Sequence, residues 1–204
     1  MEVILVSNNL IENNLLYNNE KIDKKKLKIP LLSKNKDYAQ RLSLLSMFNN
    51  TGAIYSSTSA SARIFAQYLG KRIKKDVYLD DKLDAPIIGN IKNKDLKNIY
   101  FMQEHDFNIK LENGESLNET CKRFTDSINH IVYLNKVNKV VVFTHLRTIL
   151  SYLINHTKVG YNLEDELILE YNDDVIYSGD INDISIYKLN FDDRNLTNIK
   201  KIIL

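Results

Sequence analysis

The chain has 204 residues, of which 44% are apolar and 26% charged, enough for one core-forming domain and too apolar for a disordered chain. Its 28 basic and 26 acidic side chains nearly cancel, which argues against a dedicated nucleic-acid or membrane-surface protein. A single cysteine, Cys121, rules out an intrachain disulfide framework and suits a reducing cytosol, and the six glycines are few for this length.

Val3-Ile4-Leu5-Val6 is a short apolar run that turns polar at Ser7, with neither a basic leader nor a small-residue cleavage site. It reads as a buried strand, and no window approaches the ~18 apolar residues of a membrane span, so a soluble, cytoplasmic protein is expected. A polar loop follows over about 12–34 and includes Lys24-Lys25-Lys26, most simply a solvated surface. Helical spacing appears from about 35 to 48, with Ala39, Leu42, Leu45 and Met47. Ala53-Ile54-Tyr55 is a short strand, and Ser56-Ser57-Thr58-Ser59 caps a helix over about 59–73. Val77-Tyr78-Leu79 is a further candidate strand.

Residues 80–113 show no clear period and are expected to form a functional insert or lid. Ser116 stands three before Glu119, a capping box that opens a helix to about 134. Val140-Val141-Val142-Phe143 is a buried strand with Thr144-His145 at its carboxyl end, followed by a helix over about 147–156. Leu167–Tyr171 and Val175–Tyr177 read as a hairpin, and 184–189 and 199–203 add strand-like runs. Alternating strands and helices predict an α/β three-layer sandwich with a mostly parallel central sheet, over one domain spanning 1–204. The C-terminal strands occupy about 166–204. Such sheets place their sites at the carboxyl ends of the strands, here Ser7-Asn8-Asn9, Ser56-Ser57 and Thr144-His145.

These strand ends, read in order, resemble the histidine phosphatase superfamily, with its phosphoglycerate-mutase-like fold. Where that family has R-H-G-E-x-x-x-N, this chain has Ser7-Asn8-Asn9-Leu10-Ile11-Glu12-Asn13-Asn14. Its P-L-T-x-x-G-x-x-Q-A stretch corresponds to Pro30 through Ala39, and S-S-P-L-x-R-A-x-x-T-A to Ser56 through Ala66. The G-E-S helix start is intact as Gly114-Glu115-Ser116, and V-x-V-x-S-H-G becomes Val140 through Leu146. The family's glycine positions hold Asn9, Asn35 and Leu146, which accounts for part of the glycine shortage.

The resemblance implies a phosphoryl-transfer site whose nucleophile is a neutral imidazole, caged by two arginines and a second histidine. Only the second histidine is kept, as His145. The nucleophile position is Asn8, whose amide nitrogen has no free lone pair, and the arginine positions are Ser7 and Ser61. The acid/base carboxylate falls near Asp84 or Ala85. A charge-assisted hydrogen bond is worth about 1.5–3 kcal/mol, so losing both arginines removes several kcal/mol of phosphoryl binding. The expected protein is therefore a catalytically inactive relative that binds a partner or a small polar or phosphorylated ligand. The other reading is a phosphomonoesterase or phosphoglycerate-mutase-type enzyme with a rearranged site using His145 and Arg147.

Asn14, Ser57, Glu115 and Arg147 are the candidate ligand-binding residues. His145 could touch an anion or merely hydrogen-bond to its surroundings. Arg147 could reach into the vacated pocket, or stand as a solvated charge at a helix start. Arg63, two residues past Ser61, is rotated by about 200° and should point away. Ser7 activated by His145 as a nucleophile is conceivable but has no G-x-S-x-G elbow behind it. The four histidines are scattered, so no metal site and no cofactor are expected, and Cys121 reads as inert packing. The family is often dimeric, and a homodimer through loop 12–34 or the C-terminal strands is an expectation, as is the absence of nucleic-acid and membrane partners.

Overall fold

The computed structural model describes residues 1–8, 28–91, 96–179 and 184–203, with the side chains of Asn8 and of 28–35 outside that description. Asn14 and Lys24-Lys25-Lys26 also lie outside the described residues.

Strand β1 (Glu2–Asn8) leads, after the undescribed stretch, to helix α1 (Lys28–Ser43), then β2 (Ala53–Ser56), α2 (Ala60–Ile73) and β3 (Val77–Leu79). Helices α3 (Leu96–His105) and α4 (Leu117–Leu134) precede β4 (Lys139–Thr144) and α5 (Leu146–Leu153). Three strands, β5 (Lys158–Tyr161), β6 (Leu167–Tyr171) and β7 (Asp174–Ser178), form a small antiparallel sheet of their own. The chain then returns through β8 (Ile184–Asp192) and β9 (Asn195–Ile202).

The main sheet has six strands in the order β3-β2-β4-β1-β8-β9. β3, β2, β4 and β1 run parallel, and β8 and β9 extend the sheet antiparallel. The period-2 alternation of strands divides the apolar residues between two layers. Val3, Leu5, Val140 and Val142 face α4 and α5, where Phe124, Ile128, Ile149 and Leu153 are buried. Ile4, Val6, Val141 and Phe143 face the other way onto α1 and α2, against Leu42, Phe65 and Leu69.

Several boundaries depart from the sequence expectation. The first helix begins at Lys28 and not near 35, taking up part of the expected loop, with Pro30 in its first turn where a missing N–H costs nothing. It ends at Ser43, and Ser46–Phe48 is a separate 3₁₀ turn. The stretch 80–113 contains a 3₁₀ turn, Asp81–Leu83, and the helix α3. Ile99 and Gln103 of α3, at helical spacing, are buried, a weak period that the intervening apolar run Tyr100-Phe101-Met102 masks. β5 has no counterpart in the sequence reading. The expected hairpin is present, with both turn residues, Asn172 and Asp173, at positive φ as a two-residue turn requires.

Gly89 and Gly114 pack back to back. Gly89 has φ +82, and a Cβ on it would lie 2.5 Å from the Glu112 carbonyl, so glycine is needed there. This close approach lets the Glu115 amide donate to the Ile87 carbonyl and the Asn90 amide to the Glu112 carbonyl. The loop after β3 is thereby tied to the start of α4. Among the described residues no helix is long and apolar enough to cross a membrane.

Candidate functional site

The parallel register sets the carboxyl ends of β1, β2 and β4 side by side: Ser7 pairs with Thr144, and Ser56 with Phe143. Beyond the last pair, the Ser57 amide still donates to the Phe143 carbonyl, which brings Ser57 level with the end of β4. Ser7, Ser57 and His145 are all buried. His145 has extended backbone and serves as the residue before the first turn of α5, where its carbonyl accepts the Ile149 amide.

His145 Nε2 lies 2.9 Å from Ser57 Oγ. Ser57 Oγ donates to Ser59 Oγ at 3.0 Å, and Ser59 Oγ lies 3.2 Å from Ser61 Oγ. Ser59 also accepts the Ala62 amide, capping α2. With the Ser57 proton directed to Ser59, Ser57 Oγ stands as an acceptor toward the ring, which suits the imidazole tautomer protonated on Nε2. Burial pushes the His145 imidazole down to about 4, opposed by the Asp84 carboxylate and assisted by the Arg123 charge, so the ring is neutral at pH 7. The hydroxyl at the imidazole is that of Ser57. Ser7, the serine weighed as a nucleophile, instead donates to the Ser185 carbonyl at 3.3 Å.

Asp84 is brought to the same end of the sheet by two threonines of the β4–α5 segment. Thr144 Oγ1 donates to the Leu83 carbonyl at 2.6 Å, and Thr148 Oγ1 to the Asp84 carbonyl at 2.9 Å. Both carboxylate oxygens of Asp84 accept from Thr58, one from the amide at 2.7 Å and one from the hydroxyl at 2.6 Å.

Glu115 makes a bidentate pair with Arg123, at 2.8 and 2.9 Å, and accepts the Ile87 amide at 2.9 Å. Burial works against its ionisation, but the Arg123 hydrogen bonds, the Ile87 amide and the guanidinium charge outweigh that and hold the carboxyl below its ordinary range. The same guanidinium donates to the carbonyls of Lys82 and Ala85. A cavity of about 470 Å³ lies here, lined by Asp81, Lys82, Asp84, Ala85, Ile87, Glu115 and Arg123. Asp84 and Glu115 border it, whereas Ser57 and His145 do not.

Arg147 stands apart from both groups. It is 6% exposed, which corrects the reading of a solvated helix-start charge. Its guanidinium donates to Glu104 Oε1 at 2.7 Å and Gln103 Oε1 at 3.2 Å, and lies 3.8 Å from the centre of the Tyr100 ring. α3 supplies all three partners. The sequence reading passed over Tyr100, Gln103 and Glu104, although Ile99 and Gln103 stand at helical spacing in that segment. Arg123, likewise passed over, was legible only as a charged position on an amphipathic helix. Among the described residues no group of three or more His, Cys, Asp or Glu side chains could hold a metal ion.

Residues 14–178 match the family described as the histidine phosphatase superfamily, branch 1. The chain belongs to that superfamily. Comparison with curated protein sequences returned no match. Solved structures of the fold include the mycobacterial glucosyl-3-phosphoglycerate phosphatase with inorganic phosphate, at 13% identity and TM-score 0.64 over 99% of this chain and 95% of that one. A putative α-ribazole-5'-P phosphatase from Escherichia coli superposes at 15% identity and TM-score 0.61, covering 99% and 95%. YhfR from Bacillus stearothermophilus gives 17% identity and TM-score 0.60, covering 96% and 94%. At these identities the likeness is one of fold, and it runs through nearly the whole of each superfamily structure.

Proposed function

We propose that this superfamily member has given up phosphoryl transfer and acts by binding, holding a polar ligand or a partner protein at the carboxyl ends of β1, β2 and β4. One observation carries the reading: the guanidinium groups of Arg123 and Arg147 are both committed to carboxylates of the chain itself, Glu115 and Glu104. Phosphoryl transfer needs positive charge aimed at the equatorial oxygens and a nucleophile with a free lone pair. Ser7, Asn8 and Ser61 occupy the positions where the family places those groups, and His145 is neutral. What the strand ends themselves offer is hydroxyl groups, those of Ser57, Ser59 and Ser61, suited to an uncharged polar ligand. A cytoplasmic protein without a cofactor belongs to the same reading.

The second reading, a phosphomonoesterase or mutase with a rearranged site, is favoured by the neutral state of His145, since a nucleophilic imidazole must be unprotonated. It requires His145 to release Ser57 and Arg147 to release Glu104.

Turnover of a generic phosphomonoester, with thermal shift in millimolar phosphate, sulfate and vanadate, separates the two. The binding reading predicts no turnover and no shift for the native chain. The combined Ser7→Arg, Asn8→His and Ser61→Arg variant should gain measurable phosphatase activity. Native turnover that disappears in His145→Ala would overturn it.

A further inference from the structure

We infer that His105 is a proton-operated clasp: as an imidazolium it fastens the last turn of α3 to the loop between β5 and β6, and as a neutral ring it lets that turn loosen. Both ring nitrogens face acceptors. Nδ1 lies 2.9 Å from the Phe101 carbonyl, one turn back on α3, and Nε2 lies 3.2 Å from Asp165 Oδ1 in the loop. A neutral imidazole has one N–H and must set a lone pair against the second oxygen, whereas the imidazolium donates to both. Aromatic rings pack against it as well. The Phe101 ring centre is 4.2 Å away, and that of Tyr161, at the end of β5, is 4.6 Å away with the planes 17° apart. A cation is favoured beside aromatic faces and at the carboxyl end of a helix.

The loop is braced to hold its half of the clasp. Asn162 Oδ1 accepts the amides of Glu164 and Glu166, its Nδ2 donates to Glu166 Oε2, and its carbonyl accepts the Asp165 amide. Asp165 stands at φ +63, a left-handed conformation that aspartate tolerates better than most side chains, and there it presents its carboxylate to α3. The helix has little else to fix it. α3 is 10 residues long, short for a helix stable by itself, and its buried residues are Ile99 and Gln103. Besides the clasp, its last turn is held by the Tyr161 hydroxyl, which donates to the Glu104 carbonyl at 2.8 Å, and by the Arg147–Glu104 pair. Loosening that turn therefore slackens the grip of Glu104 on Arg147, two residues from His145.

The groups around the ring agree in direction. The Phe101 carbonyl above all, then the Asp165 carboxylate from the loop and the Glu104 charge from α3 itself, hold the imidazole above its ordinary 6.5, against the effect of burial. β5 presents Tyr161, whose hydroxyl is held above its ordinary range chiefly by burial and stays protonated. α5 presents Arg147, whose guanidinium is engaged by Glu104, and Glu166 is engaged by Asn162. A raised folded value means that the clasp is whole below about pH 6.5 and is lost as pH rises through the folded value, opposite in sense to His145.

Amide exchange of the full chain from about pH 5.5 to about pH 8.5, expressed as protection factors so that the intrinsic pH dependence divides out, reads the clasp. The His105 and Asp165 side chains are 30% and 62% exposed, so the effect is modest: protection across 101–105 and 161–166 should fall about threefold as pH rises. His105→Gln should lose that pH dependence. Asp165→Asn should lower the pH at which the His105 ring titrates, followed through its carbon-bound protons by NMR. Tyr161→Phe keeps the stack and removes the hydroxyl bond, so it should lower protection by the same factor at every pH. A native ring that titrates at or below pH 6.5 overturns the inference. So does protection that is flat with pH, or that varies alike in the native chain and in His105→Gln.

Discussion

Arg147 Nη1 lies 2.7 Å from Glu104 Oε1, so a side chain in the first turn of α5 fastens the last turn of α3. The pair is buried on the arginine side and stacked on Tyr100, where water cannot replace a lost partner. Removing one member of such a pair leaves an uncompensated charge and costs about 3 kcal/mol, whereas replacing both with apolar groups costs far less. Glu104→Ala should therefore lower stability by about 3 kcal/mol in urea unfolding. The double variant Glu104→Leu with Arg147→Met should recover most of the loss. Equal losses in the single and double variants would mean the pair contributes only packing.

His145 gives the fold a dependence on pH with a definite sign. Its folded value is pushed from the ordinary 6.5 down to about 4, chiefly by burial. Between those values the unfolded chain takes up a proton that the folded chain refuses. Stability contributed by His145 is thus present above about pH 6.5 and is lost as pH falls toward 4, by about 3 kcal/mol in all. His156, also lowered by burial, acts in the same direction. His145→Gln should flatten the stability curve between pH 4 and 6.5 relative to the native chain. An unchanged slope in that variant would mean that the ring is not buried as a neutral group.

The fold was legible because its signals are local and repeated. Four apolar residues in a row from Val140, the capping box at Ser116 and the hairpin turn at Asn172-Asp173 each fix one element without reference to the rest. The site was legible in its addresses, the three strand ends, and less so in its contacts. Ser57 and His145 are 88 residues apart, and no spacing announces that they touch. Arg147 looked solvated because its three partners lie in a segment whose helical period is masked by the unbroken apolar run Tyr100-Phe101-Met102. Side-chain commitments made across the fold are set by topology, which no sequence window contains.

Arg123 holds the loop after β3 through four hydrogen bonds, two to Glu115 and one each to the carbonyls of Lys82 and Ala85. Arg123→Met keeps most of the stem's packing and removes all four. The expected loss is about 3 kcal/mol at pH 7. Loss of protection should concentrate in 80–88, read by amide exchange or by limited proteolysis. Glu115 adds a check on sign. Its folded value lies below the ordinary 4.5, so its contribution is present above that pH and disappears as pH falls through the folded value. The stability gap between native and variant chains should narrow at low pH and keep the part carried by the Lys82 and Ala85 carbonyls. Uniform destabilisation without local exposure would show that the loop does not depend on this guanidinium.

Ser59 performs two tasks with one oxygen, capping α2 through the Ala62 amide and receiving the Ser57 proton. Ser59→Ala removes the cap, a loss of about 1 kcal/mol. It also leaves the Ser57 hydroxyl without that acceptor, and His145 Nε2, at 2.9 Å, is placed to receive its proton. The imidazole must give up its own Nε2 proton to accept one, so the variant should carry its ring proton on Nδ1. Nitrogen-15 NMR of the imidazole distinguishes the two tautomers directly, with Nε2 changing from the protonated to the unprotonated type. A cap loss of the expected size with no change at Nε2 would mean that the serine row does not set the proton on His145.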